Sequence, residues 1–201
     1  MVYPKKTFFC DHVFEVDEQV YEPAEDTFLI ADKLDVKNSD VVLDVGTGCG
    51  LLAVLAAEKA KRVVAIDINP HAIECANRNA QTNKVKNKID FRQGNLFEPI
   101  KENELFSLII FNSPYLPSEP DEDSWIGRAW DGGPNGRQVI DQFITKVPNF
   151  LLAGGRILLV QSSLSDLNRT FEMFNEIGLK ATVIKEIKVS FETIILVEAK
   201  I

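Results

Sequence analysis

Residues 41–50, Val-Val-Leu-Asp-Val-Gly-Thr-Gly-Cys-Gly, constrain the fold of this chain more than any other stretch. Five mostly apolar residues, three of them valine, read as a strand buried on both faces, and the run stops at glycines where helical spacing takes over. Strand, tight turn and helix start therefore follow one another directly. Gly46, Gly48 and Gly50 carry no Cβ, which lets the chain turn sharply and lets backbone come close to a bound molecule. The plainer alternative is a tight turn in any α/β sheet.

The dinucleotide pattern G-x-G-x-x-G aims a helix N-terminus at a pyrophosphate. Here the spacing is Gly-Thr-Gly-Cys-Gly, with Asp44 just ahead of it. A carboxylate beside the turn repels a pyrophosphate and suits a cationic ligand end, such as the α-ammonium of S-adenosylmethionine. Asp67 ends a second apolar run, Arg62-Val-Val-Ala-Ile-Asp67, about 20 residues on, where a ribose-binding carboxylate sits in such folds. Two acids and three glycines in register favour an adenosine ligand.

The chain has 201 residues, 45% of them hydrophobic, enough for one substantial core and one domain spanning 1–201. A net charge of −8 argues against a broad phosphate-binding face and hence against direct nucleic-acid binding. With no apolar run near 18 residues and no signal-peptide core after Met1, the expectation is a cytoplasmic protein without a membrane span. Cys10, Cys49 and Cys75 are odd in number and widely spaced, and read as reduced thiols. No metal site is expected. His12 and His71 carry no expected role.

Residues 7–18 suggest a short hairpin or irregular cover, and residues 28–34 have helical apolar spacing after acids that suit a first turn. Residues 1–39 thus form an N-terminal cover and helix, and 40–201 the core. Helices are expected over 51–60 and from Pro70 to about residue 82, with Pro70 suited to the first helical position. Strands are expected at 88–92 and 105–111, followed by a long loop at 116–136 with an acidic cluster, Glu119, Asp121, Glu122 and Asp123. A helix over 137–152, a strand over 156–161, a helix over 165–177 and strands at 180–188 and 191–198 complete the chain.

Alternating strands and helices imply a doubly wound, Rossmann-like α/β sheet. The last two strands are too close for a parallel crossover and must form a hairpin. One reversed strand at the end of such a sheet resembles the class I S-adenosylmethionine-dependent methyltransferases. That resemblance implies seven strands in the order 3-2-1-4-5-7-6, strand 7 antiparallel. At the end of strand 4, Asn112-Ser113-Pro114-Tyr115 is similar to the Asn-Pro-Pro-Tyr motif of methyltransferases acting on planar nitrogens. An amide lone pair is delocalised, so both N–H groups must be held and the nitrogen aimed at the methyl carbon. The Asn112 oxygen and a following backbone carbonyl would accept the two N–H bonds, with Tyr115 against the planar group. Ser113 departs from the motif's first proline: the carbonyl is kept and ring stiffness is lost. Asn95 departs from a common acid but can still accept a hydrogen bond.

Val20-Tyr-Glu-Pro-Ala-Glu-Asp-Thr27 and Ala129-Trp-Asp-Gly-Gly-Pro-Asn-Gly-Arg137 extend the likeness. With the Asn112 motif they resemble the short, single-domain HemK-type protein-glutamine N5-methyltransferases of archaea and eukaryotes. The resemblance implies methylation of the glutamine in the Gly-Gly-Gln loop of a class 1 translation release factor, leaving S-adenosylhomocysteine. It also implies a heterodimer with a small zinc-binding activator, expected along the edge strand at 88–92. By position, it assigns the cofactor to Thr27, Asp44, Gly46, Gly48, Asp67, Asn95, Leu96 and Asn112. The acceptor amide falls to Asn112, Ser113, Pro114 and Tyr115. The alternatives are an adenine-N6 nucleic-acid methyltransferase, a lysine methyltransferase, for which no base stands out, and a non-catalytic scaffold that binds S-adenosylmethionine.

Overall fold

A computed structural model describes residues 4–118 and 124–201. Strands β1 (Lys5–Phe9) and β2 (His12–Val16) form an antiparallel hairpin, the first of the expected alternatives for the N-terminus. Helix α1 (Glu25–Ala31) follows, three residues earlier than its apolar spacing suggests. The core then alternates β3 (Val41–Val45), α2 (Leu51–Lys59), β4 (Arg62–Asp67), α3 (Pro70–Thr82), β5 (Ile89–Gln93) and β6 (Phe106–Asn112). After α4 (Trp125–Trp130) and α5 (Gln138–Lys146) come β7 (Leu151–Ser162), α6 (Leu167–Glu176), β8 (Lys180–Lys188) and β9 (Thr193–Lys200).

The main sheet runs β5-β4-β3-β6-β7-β9-β8. With the hairpin strands set aside, that is the expected 3-2-1-4-5-7-6. Strands β3 to β7 pair in parallel, and β9 is antiparallel to both β7 and β8. The buried central strands explain their valine and isoleucine content, since helices cover both faces. All five parallel strands end on one edge of the sheet, where ligands bind in such folds.

Helix α5 stops at Lys146 instead of reaching 152, because Pro148 cannot continue it and a short 3-10 turn, Val147–Asn149, takes over. Strand β7 begins at Leu151, five residues earlier than expected. Its register with β6 jumps from Phe106↔Leu151 to Leu108↔Arg156, and Gly154 and Gly155 sit in the excess. The two glycines are an irregularity within a strand rather than the end of a helix.

The hairpin is tied down by two asparagines one turn apart, Asn79 on α3 and Asn83 at its C-terminal cap. Asn79 donates to the carbonyls of Glu15 and Cys49, both at 2.8 Å, and accepts from the Glu15 N–H at 2.9 Å. Asn83 donates to the Val13 carbonyl at 2.9 Å and accepts its N–H at 3.3 Å. These amides satisfy β2 as a neighbouring strand would, and Asn79 joins it to the glycine turn. Among the described residues no helix is long and apolar enough to cross a membrane.

Candidate active site

A cavity of about 410 Å³ opens at the carboxyl edge of the sheet, within the range of small-molecule sites. Its floor is the glycine turn. Gly46 and Gly48 adopt φ of +65° and +55°, and both line the cavity. Gly50, at φ +86°, has a different reason: a Cβ there would lie 2.8 Å from that of Ala76, so it lets α2 and α3 approach. Only the first two glycines face the ligand space.

Asp67 lines the same wall and holds the turn in shape. One carboxylate oxygen accepts the Gly48 N–H and the other the Asn69 N–H, each at 2.9 Å. Burial raises its pKa against those bonds. Asn95 and Leu96 supply the neighbouring wall, Leu96 in a left-handed conformation (φ +48°) that is uncommon for a bulky residue. Asp44 stands behind the described lining. One of its oxygens accepts from the Thr47 hydroxyl at 2.7 Å, and the other is buried with no partner among the described residues. Burial lifts its pKa to about 7, the Thr47 bond opposing and the charge of Asp67 adding.

Beside the glycine turn, at the end of the neighbouring strand β6, lies Asn112-Ser113-Pro114-Tyr115, all four residues on the wall. The Asn112 amide donates to Asp26 Oδ2 at 3.1 Å and to Thr27 Oγ1 at 3.2 Å. A carboxylate accepts, so the bond to Asp26 fixes which end of the amide is which. Asn112 Oδ1 is thereby left buried and without a partner among the described residues. Asp26 is the hub of this arrangement. It also accepts from the Thr27 N–H at 2.6 Å, the Tyr21 hydroxyl at 3.2 Å and the Tyr115 hydroxyl at 3.4 Å. Burial, and then the charge of Asp26, push both phenols far above their usual range, so they remain donors. Thr27, expected on the cofactor, is not among the described lining residues; its hydroxyl steadies Asn112.

Ser113 is 2% exposed and donates to the Val160 carbonyl at 2.7 Å. The hydroxyl thus pins the turn to β7, a tether that the ring of a proline would not make. Part of the stretch expected as a loop is organised. Leu116 pairs with Asp131, Ser124 caps α4 by accepting the Gly127 N–H at 2.9 Å, and the Gly132 N–H reaches the Leu116 carbonyl at 2.8 Å. The acidic cluster at 119–123 lies outside the described residues. Trp125, Arg128 and Trp130 close that side of the cavity. Gly136, at φ +70°, would bring a Cβ to 2.4 Å from the Tyr115 carbonyl. Arg137 is buried as a brace, bonding the carbonyls of Ser165 and Asp166, the Thr170 hydroxyl and Asp141.

The described charged residues on the wall are Glu25, Asp26, Asp67 and Glu192 against Arg128. An acidic wall of this kind repels a pyrophosphate. Open space over Gly48, the unpartnered Asp44 oxygen and the cavity's size all fit S-adenosylmethionine.

Three comparisons bear on this geometry. The model of the methyltransferase small domain matches residues 23–129. A Methanocaldococcus jannaschii protein bearing the name protein N5-glutamine methyltransferase is 42% identical over 90% of this chain and 91% of its own. Methyltransferase HEMK2 of Homo sapiens is 34% identical over 81% of each. Among solved structures, the E. cuniculi Mtq2-Trm112 complex, described as methylating the eRF1 translation termination factor, aligns with a TM-score of 0.65. It is 23% identical over 90% of this chain and 98% of that one, a likeness of fold.

Proposed function

The chain belongs to the methyltransferase small-domain family and stands among its protein N5-glutamine methyltransferases, and from that premise we propose that it methylates the side-chain amide nitrogen of a protein glutamine. S-adenosylmethionine supplies the methyl group as an electrophile. Gly46, Gly48, Asp67, Asn95 and Leu96 would hold it, with Asp44 behind the turn. The observation that carries the reading is the orphaned Asn112 oxygen. It is buried, locked outward by Asp26 and Thr27, and needs an N–H donor. A glutamine amide brings two: Asn112 Oδ1 accepts one, the Ser113 carbonyl the other, and Tyr115 lies against the plane. Held so, the nitrogen cannot turn its lone pair away from the methyl carbon.

The substrate assigned is the glutamine of the Gly-Gly-Gln loop in a class 1 release factor, supported by what is described for the E. cuniculi complex. Residues 1–201 would act as one methyltransferase domain, in the cytoplasm. The test is transfer of labelled methyl from S-adenosylmethionine to purified release factor, with and without a Gln→Ala change in that loop. Label lost with the change supports the assignment; label retained ends it.

The same reading gives the enzyme a small zinc-binding activator on β5. Support comes from the position of β5 at the sheet edge and from half-buried Phe91, whose ring lies 5.5 Å from the Lys86 ammonium. Arg92, on the same strand, is paired with Asp90 and Glu104, each at 2.6 Å. Phe91 also packs against the core, so Phe91→Asp should lower the melting temperature, and association with the activator should be lost at temperatures where the variant is still folded. A monomeric chain fully active alone refutes the obligate partner.

A further inference from the structure

The wall of the cavity facing away from the glycine turn is closed by the 189–192 turn between β8 and β9. Val189, Glu192 and Ile194 all line the cavity, together with Asn112, Pro114 and Tyr115. The turn is held by the Val189 N–H donating to the Glu192 carbonyl at 3.0 Å, and β9 is anchored beside it where the Thr193 N–H meets Ser163 Oγ at 3.0 Å. Glu192 is not free to swing far from this wall.

One oxygen of its carboxylate is left over by the fold. Glu192 Oε2 is buried and has no hydrogen-bond partner among the described residues, whereas both oxygens of Asp26 and of Asp67 are engaged. Leaving such an acceptor unpaired is unfavourable, the more so for a charged group, and a ligand donor relieves it. Electrostatically Glu192 is felt by both Tyr21 and Tyr115, which puts it on the acceptor side of the cavity. Phe191, next in the chain, is 94% exposed on the same turn and offers an apolar surface beside the carboxylate.

We propose that Glu192 is a substrate-positioning residue that accepts a main-chain N–H of the peptide segment carrying the target glutamine. The inference rests on the glutamine reading above. A carboxylate here would repel the carbonyl oxygen of the acceptor amide, and the two N–H groups of that amide already have Asn112 Oδ1 and the Ser113 carbonyl. The donors that every such segment carries whatever its side chains are its backbone N–H groups, which are most accessible where the flanking residues are glycines. Held by one such bond, the segment is docked against this wall, and the worth of the bond appears in the KM for the protein substrate. Glutamine at 192 keeps an acceptor of the same reach, whereas alanine removes it.

The experiment compares wild type, Glu192→Gln and Glu192→Ala on purified release factor, measuring KM for the protein, kcat, and S-adenosylmethionine affinity by calorimetry. Expected is a KM raised about tenfold or more in Glu192→Ala, largely restored in Glu192→Gln, with kcat and S-adenosylmethionine affinity within about threefold of wild type. An unchanged KM in Glu192→Ala, with wild type active, overturns the inference and leaves the glutamine reading standing. A fall in S-adenosylmethionine affinity instead assigns the carboxylate to the cofactor and also overturns it. A wild type inactive on glutamine with the activator subunit present overturns both.

Discussion

Asp26→Asn is the sharpest test of the catalytic geometry, because it keeps the size of the side chain and exchanges one acceptor for a donor. Asp26 Oδ1 receives the Thr27 N–H at 2.6 Å, so an asparagine keeps its oxygen there and turns its NH₂ toward Asn112. Asn112 already presents its own NH₂ to that point at 3.1 Å. Two donors cannot face each other. The conflict is relieved when the Asn112 amide turns over, which places its NH₂ in the cavity where Oδ1 had been. The substrate N–H would then meet a donor. As the amide nitrogen bonds to the methyl carbon it gains positive charge; a hydrogen bond to a charged group is worth about 1.5–3 kcal/mol, and at 1.36 kcal/mol per decade its loss from the transition state lowers kcat about 10- to 150-fold. The Tyr21 and Tyr115 contacts, at 3.2 and 3.4 Å, are long, so the melting temperature should fall only modestly. Single-turnover label transfer at saturating S-adenosylmethionine measures the rate, and calorimetry should find its affinity within about threefold of wild type. Wild-type kcat in Asp26→Asn, or a loss of affinity equal to the loss of rate, would refute this account.

Gly136→Ala drives a Cβ into the Tyr115 carbonyl, and a displacement near 1 Å there should lower kcat by about 10²-fold; unaltered turnover would mean the acceptor turn tolerates the shift. Ser113→Ala removes the bond to Val160 and should cost about 0.5–1.5 kcal/mol in denaturant unfolding with kcat near wild type, whereas a large rate loss would give the hydroxyl a direct role. Asp44, lifted by burial from 3.8 to about 7, holds a proton in the folded chain that the unfolded chain has released. Its contribution is therefore complete below pH 3.8 and is lost as pH rises through about 7. Melting temperatures should show Asp44→Asn gaining on wild type between pH 4 and 8, and parallel curves would contradict the shift.

The order of the sheet was legible because its signals are local: a glycine turn after a valine strand, Pro70 opening α3, a closing hairpin too short to cross over. What was misjudged depended on context. Gly154 and Gly155 break a periodic pattern in either a helix end or an irregular strand, and only the pairing of β7 with β6 decides between them. The hairpin cover was uncertain for a related reason. Asn79 and Asn83 read as ordinary polar helix residues, yet they supply the bonds that hold β2, across 64 and 70 residues.

The site divides along the same line. Asn112 and Tyr115 announce themselves in one contiguous motif, whereas Asp26 lies 86 residues from its partner and had a sufficient local explanation as an acid in a helix's first turn. The sequence nevertheless held a clue. Asp26, Leu29 and Ile30 are spaced i, i+3, i+4, so they share one helix face, and two of the three are core residues. A carboxylate on an apolar face must be buried, and a buried carboxylate must find donors or remain neutral. Donors for it were visible in Tyr21 and Tyr115. Pairing that obligation with a motif whose asparagine must be held in one of two orientations would have led to Asp26, because a neighbour that only accepts is what turns the amide oxygen toward the substrate.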